Sequence, residues 1–172
     1  MLVIVGLALA TTLALAETAG GIKWTAPASW KAQAPRPMRA ATYTVPKVAG
    51  DSEDGECAVF YFGPGQGGGV NENIQRWIGQ FEAPGGGPAD KLAKTSKATL
   101  NGLPVTRVDV AGTYKAAAGP MMQASGSKPG YRMLGAIVEG PQGAVFFKFT
   151  APAKTVAAQQ PEFEKLLRSI SR

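Results

Sequence analysis

The stretch that most constrains the fold is Cys57 to Phe81, CAVFYFGPGQGGGVNENIQRWIGQF. In its first six residues Cys57, Val59 and Tyr61 point to one face of a strand and Ala58, Phe60 and Phe62 to the other, so both faces are apolar and both need cover. After a glycine-rich turn, Ile74, Trp77, Ile78 and Phe81 recur at i, i+3, i+4 and i+7, which places four large side chains on one helical stripe. A strand covered on both sides and a helix with one apolar stripe imply each other. Asn71 is the expected N-cap, with Glu72 at the positive end of the helix dipole.

The glycine turn GPGQGGG lies where phosphate-binding loops lie, between a strand and a helix start. A P-loop needs Gly-Lys-Ser/Thr at that point, and here Gly69 is followed by Val70 and Asn71. A dinucleotide site needs a parallel βαβ unit, and the segments downstream read as hairpins. What remains is a narrower expectation, backbone donors at Gly67, Gly68 and Asn71 facing a small anion. No cofactor is implied.

Residues 1–16, MLVIVGLALATTLALA, are an uninterrupted apolar run closed by Ala14-Leu15-Ala16, the small-residue pattern of a cleaved export signal. No Lys or Arg precedes the run, so either the true start lies upstream or the n-region is unusually neutral; an uncleaved N-terminal anchor is the alternative to cleavage. The expected organisation is therefore a removed segment 1–16 and one domain over 17–172, periplasmic or secreted. The chain carries a net charge of +6, but its basic residues are scattered, with Lys91, Lys94 and Lys97 as the only local run. That pattern argues against nucleic acid as a partner and suits weak association with anionic envelope polymers or headgroups. Cys57 is the only cysteine, so no internal disulfide forms, and its place in a buried strand predicts an inert thiol.

Further along, Ile22 to Thr25 and Met38 to Val45 read as strands, with Trp24 and Trp30 as anchors of a proline-rich arm. Asp51, Glu53, Asp54 and Glu56 lack the ligand spacing and loop glycine of a calcium hand and are expected to form a solvated hairpin turn. Lys94 to Leu100 and Leu103 to Tyr114 form the strongest hairpin signal, because Asn101-Gly102 supplies the positive φ values of a two-residue turn. Tyr131 to Glu139 and Ala144 to Thr150 are a second hairpin, joined by Gly140 to Gly143. Residues 115–130 read as a long loop. Pro152 to Gln160 and then Phe163, Leu166, Leu167 and Ile170 read as two helical pieces divided at Pro161. The sum is an α+β fold: an antiparallel sheet of about six or seven strands with helices on both faces.

The Trp24 to Trp30 segment with its Pro27, the arginine-bearing strand from Arg39 to Tyr43, the late hairpin pair and the closing Phe163-x-x-Leu166-Leu167-x-Ser169 helix resemble the PsbP/DcrB-like group of small exported bacterial proteins. The resemblance implies an α/β/α sandwich that acts as an accessory or binding module, and it carries over no functional residue.

The chain has no histidine, which removes Ser/His/Asp and Cys/His nucleophile systems and the usual zinc sites. Ser125-x-x-Lys128 falls in the long loop and reads as chance, and Met121-Met122 read as loop anchors rather than as soft-metal ligands. Arg107, Tyr131 and Arg132 are the polar candidates for a ligand-facing patch. The functional expectation is a non-catalytic binding domain for a protein or small ligand. Its rivals are a histidine-free enzyme, which requires a deep pocket holding a carboxylate in contact with Lys or Arg, and a structural subunit of an envelope complex.

Overall fold

The computed structural model of the chain describes residues 16–115 and 126–172. The expected export segment, apart from Ala16, and the centre of the 115–130 loop with Met121, Met122 and Ser125 lie outside the described residues.

The elements run in the order β1 (Ala16–Ala19), β2 (Ile22–Thr25), β3 (Lys31–Ala32), β4 (Arg39–Val45), β5 (Gly55–Tyr61), α1 (Val70–Ile78), β6 (Phe81–Glu82), β7 (Lys94–Leu100), β8 (Leu103–Tyr114), β9 (Lys128–Gly140), β10 (Gly143–Pro152) and α2 (Ala153–Arg168). Strands β1 and β2 form a separate hairpin, and the other eight form one sheet in the order β3-β4-β5-β10-β9-β8-β6, with β7 also paired to β8. Every strand pair in it is antiparallel. The sheet has more strands than the six or seven expected because β3 and β6 are two residues each, too short to leave a periodic signal.

Alternation along β10 divides the core. Val145, Phe147, Phe149 and Ala151 pack with Val156, Phe163, Leu166 and Leu167 of α2, while Phe146 packs with Ile74, Trp77 and Ile78 of α1. The same division runs through β9, where Leu134, Ala136 and Val138 join the α2 cluster and Met133 and Ile137 join the α1 cluster. The arm strengthens the α2 side: Trp24 Nε1 donates to Tyr43 Oη at 2.9 Å and Trp30 Nε1 to Gln159 Oε1 at 3.1 Å, so both tryptophans serve as anchors. Asn101 (φ 49°) and Gly102 (φ 77°) make the expected tight turn between β7 and β8.

Three local expectations are corrected. Helix α1 stops at Ile78, and Phe81, the fourth member of the stripe, sits buried on β6 opposite Tyr114. Its cap is Gly69 rather than Asn71: Glu72 accepts the Gly69 N–H at 3.3 Å, and Asn71 is an exposed residue of the first turn. Helix α2 is continuous through Pro161. The bond that proline removes is the one to the Ala157 carbonyl, and both residues are exposed, so the interruption costs little packing.

Candidate functional site

The cavity that concentrates charge lies on the α1 side of the sheet, beyond the reach of the helix. Lys148 of β10 has Ala58 on one side and Gly135 on the other as cross-strand neighbours. Over Gly135 the indole of Trp77 comes so close that a Cβ there would stand 2.6 Å from Cζ3. Ala58 is buried as well, and beside it a cavity of about 610 Å³ opens across β4, β5 and β10.

Lys148 stands half-buried in the floor of this cavity. Its ammonium donates to Gln80 Oε1 and to Tyr114 Oη at 3.2 Å, and it lies 5.2 Å from the Tyr114 ring centroid. Both partners are neutral, and no carboxylate lies within ion-pair distance among the described residues; residues 1–15 and 116–125 contain no Asp or Glu. Burial pushes its pKa down to about 8, with Glu56 opposing and Arg39 reinforcing that shift at longer range.

Arg39 reaches the cavity through a β-bulge. The register of β4 slips between Arg39 and Ala41, so Arg39 stands opposite Phe60 and shares its face, whereas regular alternation would send it to the α2 side. Its guanidinium lies 5.3 Å from the Phe60 ring and donates to Glu56 Oε1 at 2.8 Å, while Arg36 reaches Glu56 Oε2 at 3.4 Å. At the far end Glu53 accepts from Lys128 and from the Tyr131 hydroxyl. Hydrogen bonds from Lys128 and then from Tyr131 hold its carboxyl below the usual range, and burial, followed by the Glu53 contact, pushes the phenol of Tyr131 up.

The acidic segment 51–56 is thus more than a solvated turn, since each carboxylate has a partner. Asp51 accepts from the Thr155 N–H at 3.0 Å and from its hydroxyl at 2.6 Å, and Asp54 accepts from the Lys47 N–H at 3.0 Å. No group of three or more acidic, His or Cys side chains suited to a metal occurs among the described residues.

The six residues singled out from the sequence separate into three places. Tyr131 lines the cavity. Arg107 and Arg132 lie on the opposite face, where Arg107 Nη1 donates to both Glu164 oxygens at 2.9 Å and Arg132 holds Asp109 at 2.8 and 2.7 Å and Gln160 at 3.1 Å; they fasten α2 to the sheet. Gly67 and Gly68, both with positive φ, sit at the start of α1, where Asn73 Nδ2 donates to the carbonyls of Gly67 (2.7 Å) and Gly69 (2.9 Å) and a Cβ on Gly67 would stand 2.8 Å from the Phe62 ring. Asn71 borders a shallower cleft with Lys97 and Glu139. The residues missed were Lys148, Arg39, Tyr114 and Glu56. Lys148 had a signal, as the one charged residue of the apolar strand GAVFFKFTAP. Burial leaves Cys57 fully enclosed and pushes its thiol up, in keeping with an inert side chain.

A larger cleft of about 710 Å³ beside the β1–β2 turn is bordered by Gly20, Gly21, the exposed Met38, Tyr61 and Gln142. Lys23 and Arg172 are exposed at its rim, and Arg39 is engaged with Glu56, so it presents no comparable buried charge.

No protein-family model matches the chain, and no curated protein sequence matches it. Solved structures do. Cyanobacterial PsbP (CyanoP) from Synechocystis sp. PCC 6803 superposes with a TM-score of 0.52 at 11% identity, covering 96% of this chain and 97% of that one. A Pseudomonas aeruginosa protein of unknown function gives 0.50 at 7% identity, covering 92% and 96%. At these identities the likeness is one of fold: the chain has a PsbP-like α+β fold built on an antiparallel sheet.

Proposed function

We propose that this chain is a non-catalytic extracytoplasmic binding module of the PsbP/DcrB-like group and that its ligand is an anion held at Lys148. The observation that carries the reading is a half-buried ammonium, in a cavity of ligand size, whose only close polar partners among the described residues are the neutral Gln80 and Tyr114. Holding a cation in such a place without a counter-ion opposes folding, and an arriving anion removes that cost. Export rests on the apolar residues 1–16. Among the described residues no helix is long and apolar enough to cross a membrane.

Thermal unfolding of the full chain in a series of small anions, neutral analogues and cations tests the reading. Anions are expected to raise the midpoint, neutral and cationic compounds to leave it, and Lys148→Met to abolish the rise. Equal responses to all three classes, or an undiminished rise in the variant, would contradict it.

One observation favours a second reading, a histidine-free enzyme. Glu56 and Arg39 are in contact inside the same cavity as a lysine whose amine is partly neutral near pH 8. Borohydride trapping of a carbonyl compound on Lys148 supports this alternative, whereas reversible anion binding without trapping supports the first reading.

A further inference from the structure

Charge in the cavity is almost balanced before any ligand arrives. Four cations line it, Arg36, Arg39, Lys128 and Lys148, against the three carboxylates Glu53, Asp54 and Glu56. Glu56 is shared by Arg36 and Arg39, and Glu53 pairs with Lys128. Asp54 accepts the Lys47 backbone N–H and pairs with none of these cations, so the lining as a whole carries one net positive charge, and Lys148 is the cation with no carboxylate within ion-pair distance among the described residues. A doubly ionised phosphate would bring one charge too many into a space that already holds carboxylates, whereas a monovalent anion balances the lining.

The walls add a shape. Beside Lys148 the ring of Tyr114 stacks on that of Tyr131, with centroids 6.0 Å apart and planes 13° apart. Phe60 also lines the cavity, and the buried Ala58, the cross-strand neighbour of Lys148, borders it. A ligand whose anionic group reaches Lys148 must lay the rest of its body against these carbon surfaces. Tyr114 Oη, 3.2 Å from Nζ, is placed to donate to the same anionic group.

We infer that the cavity takes a monovalent organic acid, a carboxylate with a compact aromatic or apolar body, its carboxylate on Lys148 and its body against the rings of Tyr114 and Phe60. This rests on the reading of the cavity as an anion site and narrows it to one ligand class. Binding needs the ammonium form, so affinity stays level below about pH 8 and then falls ~10-fold per pH unit.

Isothermal titration of the full chain with benzoate, acetate, benzamide and inorganic phosphate tests the inference. Benzoate is expected to bind at least about 10-fold more tightly than acetate, through burial of its ring, and benzamide and phosphate to bind weakly or not at all. Lys148→Met should abolish benzoate binding, with Lys148→Gln as a second variant should the first fail to fold. Phe60→Ala removes one of the carbon surfaces and should weaken benzoate far more than acetate. Phosphate binding as tightly as benzoate overturns the ligand class but leaves the anion reading standing. Failure of every anion to bind a folded chain overturns both, and benzoate binding that survives both the Lys148 and Phe60 substitutions overturns the placement.

Discussion

At the scale of single residues, the site depends on what flanks Lys148. Its folded-state pKa of about 8 lies below the model-peptide value of 10.5, so between these limits the folded chain binds fewer protons than the unfolded one. Stability therefore rises as pH increases through that window, and below it the full cost of the buried ammonium is present. Lys148→Met should stabilise the ligand-free protein near neutral pH, by an amount on the order of 1 to 3 kcal/mol, with the gain fading by about pH 10.5. Urea unfolding of both proteins across that pH range checks this; a gain that does not change with pH would speak against it. On the other side of the lysine, Gly135→Ala should cost about 1 to 3 kcal/mol, because the new methyl meets Trp77 and Val108. Lys148 was missed although it left a signal, as the one charge in an apolar strand, whereas Arg39 left none. Its presence in the cavity follows from a bulge in β4, and a one-residue slip of register leaves no trace in a seven-residue strand.

At the scale of elements, the hairpins were legible because their turn chemistry is local. Asn101-Gly102 fixed the β7–β8 turn, and Gly140 to Gly143 fixed the turn between β9 and β10. The ends of the helices were less so, since long-range partners set them. Phe81 continues the α1 stripe by spacing but leaves it to pair with β8, and the cap position before α2 is Pro152, which supplies no side-chain hydrogen bond. The cap comes from Asp51, far away in sequence, whose carboxylate takes the Thr155 N–H and hydroxyl. Asp51→Ala should therefore destabilise by about 1 to 2 kcal/mol, read as a shift of the denaturant midpoint without a change in slope. The glycine turn divides in the same way. Gly67→Ala should be costly, because φ is 94° and the methyl would meet Phe62 and Phe146, while Gly69→Ala, at φ −69° with only Glu72 nearby, should be tolerated. Equal midpoints for the two variants would show that the turn is free to rearrange.

At the scale of the whole molecule, two apolar clusters on opposite sides of one antiparallel sheet give the chain its PsbP-like fold, and the site exists because α1 is too short to cover its side. Trp77 forms the boundary between covered and open sheet. Trp77→Ala should cost roughly 3 to 5 kcal/mol and widen the cavity towards β9, so a cost near zero in equilibrium unfolding would contradict this packing. The fold class could be read from periodicity, but the site could not, because it is assembled from Arg39, Glu56, Tyr114 and Lys148 on four strands whose pairing no local pattern records. One ammonium without a counter-ion is central to the site, and the titration of Lys148 followed by its own side-chain NMR signal, with and without benzoate, tests this most directly. The expected result is a pKa of about 8 in the free protein that rises when benzoate binds. A value near the ordinary 10.5, unchanged by benzoate, would contradict it.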